Sequence, residues 1–194
     1  MILKRLALAA SVALAFTASS ATAGTVFWNN TAWTVYDYTT NDVAWCGLST
    51  EDRGNGSATL HTHVALMSNG SVTLIVENND WNITEEELTG MSLFLYDTSG
   101  RERDAIYDGG VWERADRNSF LVPVASDFLG NFATNNHMFI FRDMGDGSDD
   151  VIVGRVSLNG SGYAVGKLRE CVAAADRKLR AKKERERTQP VNPF

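Results

Sequence analysis

Cysteine, histidine and proline are scarce in this chain, with two, three and three residues in 194. Two cysteines are too few for a scaffold built on disulfides. No Cys-x-x-Cys occurs, which removes the usual motif of thiol–disulfide exchange. With so little proline, 44% hydrophobic and 22% charged residues, the composition is that of a folded globule and not of a disordered segment. No apolar run beyond residue 23 reaches the ~20 residues of a membrane-spanning helix. Nucleophilic and nucleotide chemistry lack their motifs. Gly160-Ser161-Gly162 has the wrong spacing for a Gly-x-Ser-x-Gly elbow, and no phosphate or dinucleotide glycine loop occurs. No internal repeat is present, and no linker divides the chain.

What is present begins with an address. Residues 1–23 run from Lys4 and Arg5 through an apolar stretch, Leu6 to Phe16, to Ala21-Thr22-Ala23, a small-x-small cleavage pattern. This predicts a signal peptide over 1–23 and a periplasmic or secreted protein that is not transmembrane once processed. Cleavage leaves 171 residues, enough for one domain with a full core. The predicted organisation is a β-rich domain over 24–175 that ends in a helix, followed by a charged basic tail over 176–194.

Charge is unevenly placed. Between Gly24 and Ala173 stand nine basic and 21 acidic residues, a net charge of −12. Such a body repels phosphates, so nucleic acid is not an expected partner. The tail is opposite in sign. Arg177, Lys178, Arg180, Lys182, Lys183, Arg185 and Arg187 face three acids, Asp176, Glu184 and Glu186. It can attract an anionic surface or an acidic protein.

Most of the body reads as strands. Val72, Leu74 and Val76 alternate with polar residues, the period of a half-buried strand. Leu60, Val64 and Leu66 share a face with Thr62. Met91 to Tyr96 is a fuller apolar run, of the kind covered on both sides. Phe120 to Val124, Met138 to Phe141 and Val151 to Leu158 complete the set. Turn clusters separate them, including Gly54-Asn55-Gly56, Ser68-Asn69-Gly70, Thr98-Ser99-Gly100 and Asp108-Gly109-Gly110. The predicted fold class is mainly β, an antiparallel sandwich or barrel with a C-terminal helix. Short helices are expected at Thr84 to Leu88 and at Ala125 to Phe132, the latter capped by Ser126 or Asp127. Val165, Leu168, Val172, Ala175 and Leu179, spaced by three and four, predict the final helix, with Asn159 or Ser161 as cap. Past Leu179 the stripe stops, which predicts a solvated helix or frayed coil, and Pro190 and Pro193 end any helix.

Candidate sites are few. Two cysteines in an exported chain favour one disulfide, Cys46–Cys171, over two free thiols. That bond would clip the last helix to the first third of the fold. His61 and His63 share a strand face, and with His137 they would make a zinc site if their strands were neighbours. The simpler reading is an exposed polar face without metal, and no cofactor is expected. Asp143, Asp146, Asp149 and Asp150 crowd one loop, but without the spacing of a helical calcium loop they read as a hairpin connection. Five tryptophans can pack the core, stack on sugars or anchor a partner. Trp33 and Trp45 read as core. Trp81, beside Asn79-Asp80 in a turn, is the candidate for exposure and binding.

Several segments carry a resemblance. Trp33-Thr34-Val35, Trp45-Cys46-Gly47-Leu48 and Val156-Ser157-Leu158-Asn159-Gly160-Ser161-Gly162-Tyr163-Ala164, leading to Leu168 and Cys171, resemble small exported alphaproteobacterial proteins of the invasion-associated locus B type. The match covers both ends of the body and is weak in its middle. Tyr36 and Asp37 stand where the group has the first member of an early cysteine pair. The resemblance implies a periplasmic or secreted β-rich domain, linked in some members to host interaction, and brings no catalytic residues. Together these readings predict a non-enzymatic interaction protein whose partner is an envelope or host protein, or an anionic surface met by the tail. The alternatives are a hydrolase using paired carboxylates and a carbohydrate- or metal-binding module.

Overall fold

The computed structural model describes residues 24–53, 59–84, 91–98, 105–107, 113–125, 127–142 and 151–188. Outside them lie the predicted signal segment, the turns at 54–56, 99–100 and 108–110, and most of the predicted helix at 84–88. Trp112, Ser126, the acidic loop 143–150, Pro190 and Pro193 lie outside as well.

The described strands and helices, in chain order, are β1 (Thr25–Asn29), β2 (Thr34–Asp37), β3 (Trp45–Arg53), β4 (Thr59–Met67), β5 (Val72–Asn78), β6 (Met91–Tyr96), β7 (Ala105–Tyr107), β8 (Glu113–Asp116), β9 (Ser119–Val124), α1 (Phe128–Thr134), β10 (His137–Arg142), β11 (Val151–Ser157) and α2 (Ser161–Thr188). They form a seven-stranded sheet, β1-β2-β3-β4-β5-β9-β8, and a four-stranded sheet, β11-β10-β6-β7. Every pairing is antiparallel. The architecture is a mainly β sandwich with a C-terminal helix, as the sequence predicts.

Alternation positions the core. Val72, Leu74 and Val76 of β5 point inward with Leu60, Thr62, Val64 and Leu66 of β4, and all are buried. The β4–β5 turn needs a left-handed residue. Gly70 supplies it at φ 88°, and Asn69 Oδ1 accepts the Ser71 N–H at 3.0 Å.

Two structures share the inner face of the larger sheet. Helix α2 packs on β2, β3 and β4, while β11 brings the smaller sheet against β3 and β4. The sheets approach closely at Gly154, where a Cβ would stand 3.0 Å from Ile140 and 3.4 Å from Leu60. The predicted apolar stripe of α2 is buried from Ala164 to Leu179, and the helix then runs unbroken to Thr188 as an exposed rod. It therefore crosses the expected boundary at 175/176 without a break. None of the described helices is long and apolar enough to cross a membrane.

The helix starts differ from expectation. Asp127 stands at the N-cap of α1 but makes no side-chain cap bond. At α2 the buried Ser161 hydroxyl turns inward and donates to the Phe132 carbonyl at 2.8 Å. Asn159 offers its backbone carbonyl, which accepts the Trp33 Nε1–H at 2.8 Å. These residues tie α2 to α1 and to the core, because burial makes a tertiary partner worth more than a cap. Gly162 permits this approach, since a Cβ there would meet the Ala133 carbonyl oxygen at 2.9 Å.

Cys46 on β3 and Cys171 on α2 form a disulfide across 125 residues. Closing a loop of that length removes about 5 kcal/mol of conformational freedom from the unfolded chain.

Candidate functional site

The outer side of the smaller sheet is built from two alternating hexapeptides. In β6, Met91, Leu93 and Leu95 enter the core, leaving Ser92, Phe94 and Tyr96 on the other side. In β10, Met138 and Ile140 enter the core, leaving His137, Phe139 and Phe141 outside. The register sets His137 opposite Tyr96, Phe139 opposite Phe94 and Phe141 opposite Ser92.

The rings therefore form a connected ladder. Centroids stand 5.9 Å apart for Phe94 and Tyr96, 6.3 Å for Phe94 and Phe141, 6.0 Å for Phe139 and Phe141, and 6.1 Å for His137 and Phe139. From β11, Arg155 lies over the Phe139 ring at 5.5 Å and places Nη2 3.4 Å from His137 Nε2. Ile152, opposite Phe141, is 55% exposed. Burial, and then the Arg155 charge, hold the His137 imidazole below its usual pKa, against the pull of Asp52. The strand residues described on this face include no carboxylate, although the body carries 21 acidic residues. Met91 to Tyr96 is thus buried on one face, with Tyr96 exposed on the other.

A second feature lies between the sheets. A cleft of about 130 Å³ opens among Trp81, Ile83, Phe120, Met91 and Val153, with Arg142 and Asn82 as the polar members among the described residues. Trp81, expected to be exposed, is half-buried and stacks on Phe120 at 5.5 Å with 15° between the planes. Its turn is held by three hydrogen bonds: Trp81 N–H to the Asn78 carbonyl, Asp80 N–H to Asn78 Oδ1, and Ile83 N–H to the Arg117 carbonyl.

The structure does not bring the three histidines together. His61 and His63 project from the outer face of the larger sheet, where His61 Nδ1 lies 3.6 Å from Glu51 Oε1, and His137 belongs to the other sheet. Among the described residues no group of three His, Cys, Asp or Glu is placed to hold a metal. Trp33 is core, as expected. Trp45 is not: it alternates with the inward Cys46, and on the outer face it stacks on Tyr38 at 4.5 Å.

The basic tail is helical and exposed, but several of its cations are engaged. Lys182 Nζ donates to Asn41 Oδ1 at 2.7 Å and Lys183 Nζ to the Asp42 carbonyl at 3.3 Å, so this part of α2 folds back on the β2–β3 loop. Arg180 pairs with Asp176, Lys182 with Glu186 and Arg187 with Glu184. Arg177, Lys178 and Arg185 remain exposed at other points around the helix.

Sequence reasoning missed Phe94, Tyr96, Phe139, Phe141 and Arg155. The signal for the ladder was the alternation of aromatic residues in two strands, Phe94-Leu95-Tyr96 and Phe139-Ile140-Phe141, visible but not tied to pairing. No family model, no curated protein and no solved structure matches the chain.

Proposed function

We propose that this protein is an exported, non-enzymatic interaction protein of the cell envelope, and that the outer face of the smaller sheet is its contact surface for a protein partner. The observation that carries the reading is the ladder of rings joined by centroids about 6 Å apart, crossed by Arg155. Aromatic and arginine side chains are the groups that dominate protein contacts. A face bearing arginine and no described carboxylate, on a body of net −12, fits an apolar partner surface edged with acidic residues. Export is supported by the basic and apolar start of the sequence and by the Cys46–Cys171 bond, which belongs to an oxidising compartment. The resemblance to the invasion-associated locus B type agrees with an envelope or host partner.

The test is capture from envelope extracts with the full chain, Phe139→Ser, Arg155→Glu and a control, Asn69→Ala, in the β4–β5 turn. A protein retained by the wild type and the control, and lost with both face variants at unchanged circular dichroism, bears the reading out. Capture that ignores both face variants overturns it.

A further inference from the structure

We infer that the cleft between the open ends of the two sheets is a binding site for a small carboxylate that carries one flat apolar ring. This does not depend on the contact surface proposed above, since the cleft lies on the inner side of the smaller sheet.

The cleft has a chemistry of two parts. Its floor is apolar: Met91 from β6, Phe120 from β9 and Val153 from β11, with Ile83 beside them. The Trp81 indole forms one wall, and Phe120 backs it in a nearly parallel stack. Flat rings prefer such offset stacks, so the wall favours a planar guest over a branched one. Both sides of the cleft are fixed, by the strand ladders on one and by the bonded turn at Asn78–Ile83 on the other. Pre-formed walls cost a ligand little ordering.

Volume selects the size. A dry apolar cavity of about 150 Å³ takes benzene. At about 130 Å³ this cleft has room for one six-membered ring, and its open side leaves a substituent outside.

Polar groups select the charge. Arg142 closes β10 and lines the cleft together with the exposed Asn82. Arg142 already has an interaction within the fold. A guanidinium offers five N–H donors in a planar fork, enough to keep that partner and also donate to a bound carboxylate. An arginine beside an apolar ring site matches a carboxylate attached to that ring, and the Asn82 amide adds a neutral donor.

Benzoate is the probe, titrated into the full chain by calorimetry beside benzyl alcohol, which lacks the charge, and acetate, which lacks the ring. Benzoate should bind at least about tenfold tighter than either, the scale of one charge-assisted hydrogen bond or one buried ring. Arg142→Gln should remove that advantage over benzyl alcohol. Val153→Phe should abolish binding of both aromatic probes by filling the cleft. Asn82→Ala, at an exposed position, should weaken benzoate without touching the fold and keeps the test open if either other variant misfolds. Absence of benzoate binding at millimolar concentration overturns the inference, as the cleft would then be taken by the chain's own residues. Binding that is equal for the three probes, or unchanged by Asn82→Ala and Val153→Phe, also overturns it.

Discussion

Asp52 reaches from β3 to the edge of the other sheet, where its Oδ2 accepts the backbone N–H of Ser157 at 2.7 Å, across 105 residues of sequence. β11 is an edge strand, and an edge N–H is a template for unwanted pairing. The carboxylate occupies it. Asp52→Ala should lower unfolding stability by about 1.5–3 kcal/mol, the range of a hydrogen bond to a charged acceptor. Hydrogen exchange at the Ser157 amide should accelerate more than at its β11 neighbours. Uniform exchange along β11 in the variant would show that the contact does not guard the edge.

Cys46–Cys171 should account for a large share of stability. Reduction, or replacement of both residues by alanine, should cost about 2–5 kcal/mol, because the loop it closes spans most of the described chain. Urea unfolding with and without reductant measures it. Thiol titration of the denatured, unreduced protein should find no free thiol.

Leu179 divides α2 into a working half and a solvated half. It is the last buried residue of the helix, and every described residue beyond it, to Thr188, is exposed. Leu179→Ala should cost about 2 kcal/mol, the low end for a buried leucine near a helix's exposed part. Deleting residues 180–194 should leave the thermal midpoint nearly unchanged, since Lys182 and Lys183 make surface contacts of little net value. Scanning calorimetry of both variants separates these outcomes. If instead the deletion destabilises as much as Leu179→Ala, the fold-back onto Asn41 and Asp42 is a structural clamp.

His63 should make the protein acid-sensitive. Burial holds its imidazole below the usual value; Glu77 and Glu51 oppose this, and His61 adds to it. The folded state therefore binds its proton less readily than the unfolded state. The stability this neutral ring contributes is complete above the unfolded value near 6.5 and declines as pH falls from there through the lower folded value. Urea midpoints between pH 7.5 and 5.5 should fall for the wild type and fall less for His63→Gln. Parallel slopes for the two proteins would remove His63 from the account.

Periodicity carried the legible part of the fold. β4, β5, β9 and β10 announce themselves because each sets alternate residues against a core, and α2 does so through its stripe, whereas β11, where Val156 alone is buried, shows only as a run of β-branched residues. β1, β2 and β3 do not. Val26 and Phe27 of the edge strand β1 are exposed, so its apolar letters mark no face. The far end of β3 is Glu51-Asp52-Arg53, which reads as loop until β4 pairs with it. The disulfide was legible from residue count and the predicted export alone. The site was not, because a ring ladder depends on which strand lies beside which. Nothing local says that Phe139 faces Phe94. The turn around Trp81 was legible, but its stack on Phe120 comes from a partner 39 positions away.

The placement of α2 has a consequence for how the chain is made. It covers β2 and β3, which leave the ribosome more than a hundred residues earlier. Until α2 arrives, Trp33, Val35, Cys46 and Leu48 have no lid, and the nascent sheet is a bare apolar surface. The inner face of the larger sheet is thus completed only when α2 has been made.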